Sequence, residues 1–295
     1  MTTDSMIPEL AVIIPARNEA TRLGRCLDSV RHALDYAGVT HAEVVVVDDD
    51  STDGTSEIAR SHGARVLRQA RRRGPLAAWS RGADSTAAPL LIFVDADCRV
   101  AASSLAVILG GFARSSVGVV AARSLPDSQR IGRTVAERSA VFSARMLHET
   151  KVRLVNHDFL PIGRLMAVRR AAWQAGADHR WPCDRIVAGR AKRAGWEIVY
   201  LPEATVYYEP VRTYEGLRAD YLRTTIGQAR LNGEWSEPLP PRIVRRAASA
   251  SLRRDLLNGA AWLAVRMRLW GEQATGRMRL EDAYAQWDRL GSESQ

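Results

Sequence analysis

The sequence of 295 residues has little cysteine: Cys26, Cys98 and Cys183, widely separated. No C-x-x-C pair and no His/Cys spacing is present, which excludes a structural zinc module of the usual kind. An odd, low count argues against a disulfide-stapled secreted fold and for a reducing cytosol. No apolar run approaches the ~18–20 residues that would span a bilayer. The first residues, "MTTDSMIPEL", lack the basic start and apolar core of a signal peptide. Aromatic residues make up only 6% of the chain and form no aromatic–basic platform, so nucleic acid is not expected as a partner. Acid is in deficit, and the formal net charge is +9. That balance suits a polyanionic partner, an anionic membrane or a phosphate-bearing substrate, and it also serves solubility alone.

What is present is a globular composition, 46% hydrophobic and 25% charged, enough for one large domain or two smaller ones. Leu10 to Ile14 reads as a buried strand stopped by Pro15. Leu23, Leu27, Val30 and Leu34 then fall at helical spacing, closed by Gly38. Strands follow at Val44–Val47, around Val66 and in "PLLIFVDADC", with a short helix after "STDGT" and another from about Pro75 to Ser85. Continuous apolar strands alternating with helices predict a parallel sheet covered on both faces. The second half predicts a strand in "VGVVAARS", an amphipathic helix in "IGRTVAERSAVFSARMLHET", and a strand in "GRLMAVRR". A helix in "PCDRIVAGRAKRAG" and two short strands broken by Pro202 complete it. The Pro-rich joint "EWSEPLPPR" separates a core of residues 1–235 from a helical segment of residues 242–295.

Carboxylates gather where strands end. "VVVVDDDSTDGT" sets Asp48, Asp49 and Asp50 side by side, and a carboxylate taken out of water costs several kcal/mol, roughly, unless it is paired. Arg17, Asn18 and Glu19 follow the first strand, and Asp95 and Asp97 follow "LIFV". In open α/β sheets ligands bind at the carboxyl ends of strands, so these residues read as a site as well as polar loops. Asp95 and Asp97, two apart in a turn, suit a hard divalent cation such as Mg²⁺ or Mn²⁺.

The ordered series "VIIPARNEA", "VVVVDDDSTDGT", "LIFVDADCRV" and "PCDRIVAGRAKRAGWEIVYLPEATVYYEP" resembles the GT-A-fold glycosyltransferases of family 2, over about residues 8 to 230. The resemblance implies a Rossmann-like, mostly parallel sheet flanked by helices, with a nucleotide-binding half at about 8–100 and an acceptor half at about 101–235. It implies an inverting, metal-dependent transfer of a sugar from a nucleotide-diphospho-sugar, UDP foremost, to an acceptor hydroxyl. Carried over by position, Pro15, Arg17, Glu19, Asp48, Asp49, Arg73, Gly74 and Asp95 bind the nucleotide. Asp97 holds Mn²⁺ or Mg²⁺ in the D-x-D motif. Asp184 is the general base, and its competing reading is a helix cap. Trp181, Arg223 and Glu209 are candidates for acceptor or diphosphate contacts. Glu209 follows Tyr208, which stands where the family often has a metal-touching His. Cys183 replaces the family's frequent Glu before Asp184, and Asp50 replaces a usual Gly.

Two other classes compete. A nucleotidyltransferase of similar fold needs a Gly-rich phosphate loop, and "IIPARNEA" has no glycine. A non-catalytic binder of nucleotide-sugars is disfavoured by the intact Asp95, Asp97 and Asp184. The C-terminal segment from Arg242 to Leu280 interleaves arginines with Leu and Trp. It reads either as a helix packed on the catalytic domain with arginines outward or as a basic amphipathic helix on anionic lipid. The second reading expects a lipid or lipid-linked acceptor and a cytoplasmic protein peripheral to the inner face of the membrane.

Overall fold

The structure, a computed structural model, describes residues 9–127, 134–153, 163–174, 183–231 and 241–275. The first buried run forms β1 (Leu10–Ala16), followed by α1 (Ala20–Tyr36), β2 (Ala42–Asp48), α2 (Thr55–Ser61), β3 (Arg65–Arg68), α3 (Pro75–Asp84) and β4 (Leu90–Val94). Next come β5 (Cys98–Val100), α4 (Ser104–Gly111), β6 (Val117–Pro126) and α5 (Val135–Arg153). They are followed by β7 (Leu165–Arg169), a 3-10 turn at Arg170–Ala172, α6 (Cys183–Arg193) and β8 (Glu197–Tyr208). The helices α7 (Tyr214–Leu231), α8 (Pro241–Arg254) and α9 (Leu256–Ala274) end the described chain.

The strands form one sheet in the order β3-β2-β1-β4-β7-β6-β8-β5. β1 runs parallel to β2 and to β4, and β2 runs parallel to β3. Strand order therefore reverses between β1 and β4, the point at which an open α/β sheet leaves a crevice for a ligand. β7 runs antiparallel to β4 and β6 and interrupts the parallel order, whereas β6 and β8 bond in the same direction at both ends, Glu197 N–H to the Ser116 carbonyl at 2.9 Å and Asp127 N–H to the Tyr208 carbonyl at 2.8 Å. Strands covered on both faces bury nearly every side chain: Ile13, Ile14, Leu91, Ile92, Phe93, Leu165 and Met166 are among the largest fully enclosed. Each such side chain contributes about 1.5–3 kcal/mol through burial.

Two strand boundaries differ from the sequence reading. β1 continues through Pro15, which pairs in register with Val47. The ladder to β4 ends at Ile13, so a residue without an N–H costs nothing on that side. β8 is one strand of 12 residues through Pro202. Its outer neighbour β5 has 3 residues, which leaves most of β8 as an edge, where proline is tolerated.

The chain groups into two compact units. The first joins Met1–Arg123 to Ile162–Tyr207 and contains the sheet. The second joins Ser124–Pro161 to Tyr208–Gln295. In it, α5 packs on α8 and α9. Phe142 of α5 lies 5.4 Å from the Trp262 ring of α9, and Arg145 reaches Asp255 at 3.1 Å. Asp255 caps α9 by accepting the Asn258 N–H at 3.1 Å. Val265 and Leu269 are buried against Tyr214, Leu217, Tyr221 and Leu222 of α7. The joint expected between residues 235 and 242 falls mostly in 232–240, outside the described residues.

Candidate active site

The loops after β1 and β2 tie each other down. Asn18 and Asp50 both hold positive φ, 54° and 62°, a conformation that short polar side chains tolerate best after glycine. Asp50 thus keeps the left-handed turn despite lacking a glycine. Asn18 donates its N–H to the Ser51 hydroxyl at 3.0 Å and accepts the Thr52 N–H at 2.9 Å. Glu19 N–H reaches the Thr55 hydroxyl at 2.8 Å, and Ala20 N–H reaches Asp53 at 3.2 Å. The first N–H groups of α1, which lack partners in their own helix, are thereby satisfied from the β2–α2 loop.

Two members of the acidic triplet are buried and hydrogen-bonded. Asp48 accepts the Ser51 N–H at 2.8 Å and a second bond from the Ser56 hydroxyl. Asp49 accepts Gln69 Nε2 at 2.9 Å, the Arg73 N–H at 2.6 Å and the Gly74 N–H at 2.8 Å. Asp49 therefore pins the loop that enters α3, where Gly74 takes φ +84°. A carboxylate offers about four acceptor directions, so Asp49 keeps one in reserve. Pro15 sits half-buried near the end of β1, and Arg17 and the Arg73 side chain are exposed beside these loops. Gln69 was not foreseen; no spacing in the sequence links it to Asp49, 20 residues away.

Asp95 and Asp97 project from the turn between β4 and β5, closed by the Cys98 N–H to Asp95 carbonyl bond at 3.1 Å. Ligand atoms of Asp95, Asp97 and Cys98 all lie within 4.8 Å of one another. The Cys98 thiol is buried, is pushed well up by burial and then by the Asp97 charge, and donates to Asp97 Oδ1 at 3.3 Å. A protonated thiol is no ligand for a hard ion, so the usable donors are carboxylate oxygens, the set that Mg²⁺ or Mn²⁺ prefers. Arg164 lies over both acids, with Nη1 3.4 Å from Asp95 Oδ2 and 3.3 Å from Asp97 Oδ2. The antiparallel β4–β7 pairing puts it there: Val94 faces Leu165, and Asp95 N–H donates to the Arg164 carbonyl at 3.1 Å. Sequence reasoning missed Arg164, because only that pairing links it to Asp95.

The charge of the same turn is felt by Glu19 and by the Cys26 thiol. Burial pushes the Glu19 carboxyl up to about 7; its 2.7 Å ion pair with Arg22 opposes the rise and the Asp97 charge adds to it. The Cys26 thiol, fully enclosed, is driven up by burial and by Asp97 and Asp95. Asp184 stands in the first turn of α6 and accepts the Arg185 N–H at 2.9 Å. The preceding Cys183 is buried, and its thiol is pushed up by burial, then by Asp184 and by Asp95. Glu209 belongs to the second unit, where Arg212 holds its carboxylate at 2.7 Å. Arg223 lies on α7, with its side chain outside the described residues, and Trp181 lies outside them altogether.

Comparisons with known proteins place the fold and the family. The mannosyltransferase PcManGT of Pyrobaculum calidifontis, solved with GDP-Man and Mn²⁺, superposes with a TM-score of 0.60 at 20% identity, over 97% of this chain and 81% of that one. Glucosyl-3-phosphoglycerate synthase of Mycobacterium tuberculosis, solved with Mn²⁺, UDP and phosphoglyceric acid, superposes with a TM-score of 0.53 at 18% identity, over 77% and 79%. Both share the α/β architecture. In sequence, the glycosyltransferase AglE of Haloferax volcanii is 36% identical over 99 residues, and the match spans 32% of each protein. The profile of Glycosyl transferase family 2 matches residues 11–175, which takes in β1 to β7 and the D-x-D turn. With more than half of the chain matched, and with the acidic turns standing at the strand ends, this protein belongs to glycosyltransferase family 2.

Proposed function

We propose that the protein is an inverting, metal-dependent glycosyltransferase that moves a sugar from a nucleotide-diphospho-sugar, UDP foremost, to an acceptor hydroxyl. The observation that carries this reading is the cluster of Asp95 and Asp97 carboxylate oxygens within 4.8 Å of one another, in the turn after β4, where the strand order reverses beside β1. Fold relatives solved with GDP-Man or UDP, each with Mn²⁺, support a nucleoside-diphosphate donor and such an ion.

Each residue has a role in this reading. Asp49 keeps the 69–74 loop in place beside the base and offers its remaining acceptor direction to a base N–H. Pro15, Arg17 and Glu19 border the nucleotide, with Asp48 as the buried support of the loop. Asp95 meets the ribose. Asp97 holds the Mn²⁺ or Mg²⁺, which when bound supplies positive charge against the departing diphosphate. Asp184 takes the proton of the acceptor hydroxyl as its oxygen attacks the anomeric carbon and the bond to the diphosphate breaks on the opposite face. That transfer requires the carboxylate within about 3 Å of the attacking oxygen. A single base suits direct displacement and inversion. Trp181, Arg223 and Glu209 stay candidates for acceptor and diphosphate contacts. The reading also includes peripheral contact with an anionic membrane and a lipid or lipid-linked acceptor, supported by the arginines of α8 and α9.

Thermal shift with UDP, GDP, dTDP and ATP, each with and without Mn²⁺, tests the donor site. A Mn²⁺-dependent shift with one diphosphate, absent in Asp97→Ala, is expected. No shift with any nucleotide would overturn the reading. The anomeric configuration of the product, followed by NMR, tests inversion.

A further inference from the structure

The helix α9 buries one side and leaves an apolar side bare. Gly259, Ala261, Val265 and Leu269 face inward. Opposite Ala261, Val265 and Leu269, the residues Leu256, Leu263, Met267 and Trp270 are 70%, 48%, 60% and 53% exposed, with Ala260 exposed between them. At 100° per residue these five fall within about 40° of one line along the helix. The acid of α9, Glu272, is held elsewhere by Tyr214 and Arg218. A surface helix normally keeps such a stripe inside.

Basic charge adjoins the stripe. Arg245, Arg246, Ser249, Ala250, Arg253 and Arg254 line an open hollow along one face of α8. Arg254 pairs with Glu149 at 2.6 Å, whereas Arg245, Arg246 and Arg253 face no carboxylate among the described residues. The two features meet at the corner between the helices, where Leu252, Arg253, Arg254, Leu256 and Leu257 are all exposed. Guanidinium groups recognise phosphate oxygens, and an apolar stripe next to arginines that face no acid among the described residues is complementary to a bilayer with anionic headgroups.

We propose that α8 and α9 form a two-part lipid-docking surface. The arginine face of α8 takes the phosphates of anionic headgroups, and the Leu256–Leu263–Met267–Trp270 stripe enters the acyl boundary. This rests on the membrane contact in the functional reading and assigns its residues; it needs nothing of the donor site.

The test is co-sedimentation of the full chain with phosphatidylcholine vesicles, with and without phosphatidylglycerol. Wild type is compared with Arg245→Gln/Arg246→Gln/Arg253→Gln and with Leu263→Ser/Met267→Ser, each checked for helix content by circular dichroism. Binding only to vesicles containing phosphatidylglycerol is expected. The arginine variant should partition on the order of a hundredfold less, from about a fivefold loss for each of the three arginines. The serine variant should lose quenching of tryptophan by brominated acyl chains, and Trp270→Phe should lose part of it. Failure of wild type to bind, or binding unchanged in folded variants, would overturn the proposal. So would a concentration-dependent dimer that Leu263→Ser/Met267→Ser abolishes while vesicles go unbound, which would make a second copy the occupant. The nucleotide thermal shift, run on the same proteins, separates loss of lipid docking from failure of the donor-site reading.

Discussion

At the scale of single residues, charge and shape make separate demands on the site. Asp184→Asn keeps the helix turn and removes the proposed proton acceptor; turnover should fall about 10²- to 10⁴-fold with nucleotide binding intact, as steady-state kinetics and calorimetry would read. Arg164 sits on the same carboxylate oxygens that suit a divalent ion. Arg164→Met removes a resident cation, so Mn²⁺ alone should bind more tightly than in wild type, measured by electron paramagnetic resonance of free Mn²⁺. A merely structural arginine would give weaker binding or none. Glu19 carries the pH dependence. Its folded value, about 7, lies above the ordinary 4.5. Below the ordinary value both states are protonated and it costs nothing. As pH rises toward 7 the unfolded carboxyl ionises first, and stability is lost; above 7 the loss is complete. Glu19→Gln should therefore raise the melting temperature of the ligand-free protein at pH 8 and leave it nearly unchanged at pH 4.

At the scale of elements, close approach decides which residues are allowed. The helix α3 lies on β1 and β2 through Gly82, where a Cβ would collide with Ile13 and come within 3.3 Å of Val47. Gly82→Ala should cost about 1–3 kcal/mol, read from urea unfolding, because the helix must lift from the sheet. The helix period of α1 was legible in the sequence because Leu23, Leu27, Val30 and Leu34 form the stripe it buries. The continuity of β1 through Pro15 and of β8 through Pro202 was not. Whether a proline interrupts a strand depends on which neighbour needs its N–H, and pairing decides that. β5 escaped notice for a related reason: 3 residues carry no period.

At the scale of the whole molecule, ligand and metal act on stability by mass action. A nucleotide at a hundred times its dissociation constant with Mn²⁺ should add about 2.7 kcal/mol, and chelation with EDTA should remove that gain in a melting experiment. The net charge of +9 has one local expression in the arginines of α8, three of which face no acid among the described residues. Among the described residues no helix is long and apolar enough to cross a membrane.

The sequence by itself determined the alternation of strand and helix, the family, and the acids at the ends of β1, β2 and β4. These are local: apolar runs, helical periods and short motifs are written in adjacent residues. It did not distinguish the tasks of neighbouring carboxylates. Asp48 and Asp49 look alike in "DDD", yet one is bonded within its own loop and the other pins Arg73 and Gly74. It did not reveal Arg164 beside Asp95 and Asp97, nor which side of α9 lies bare. Those depend on strand pairing and helix packing between residues far apart in the chain, and only the tertiary structure brings such residues together.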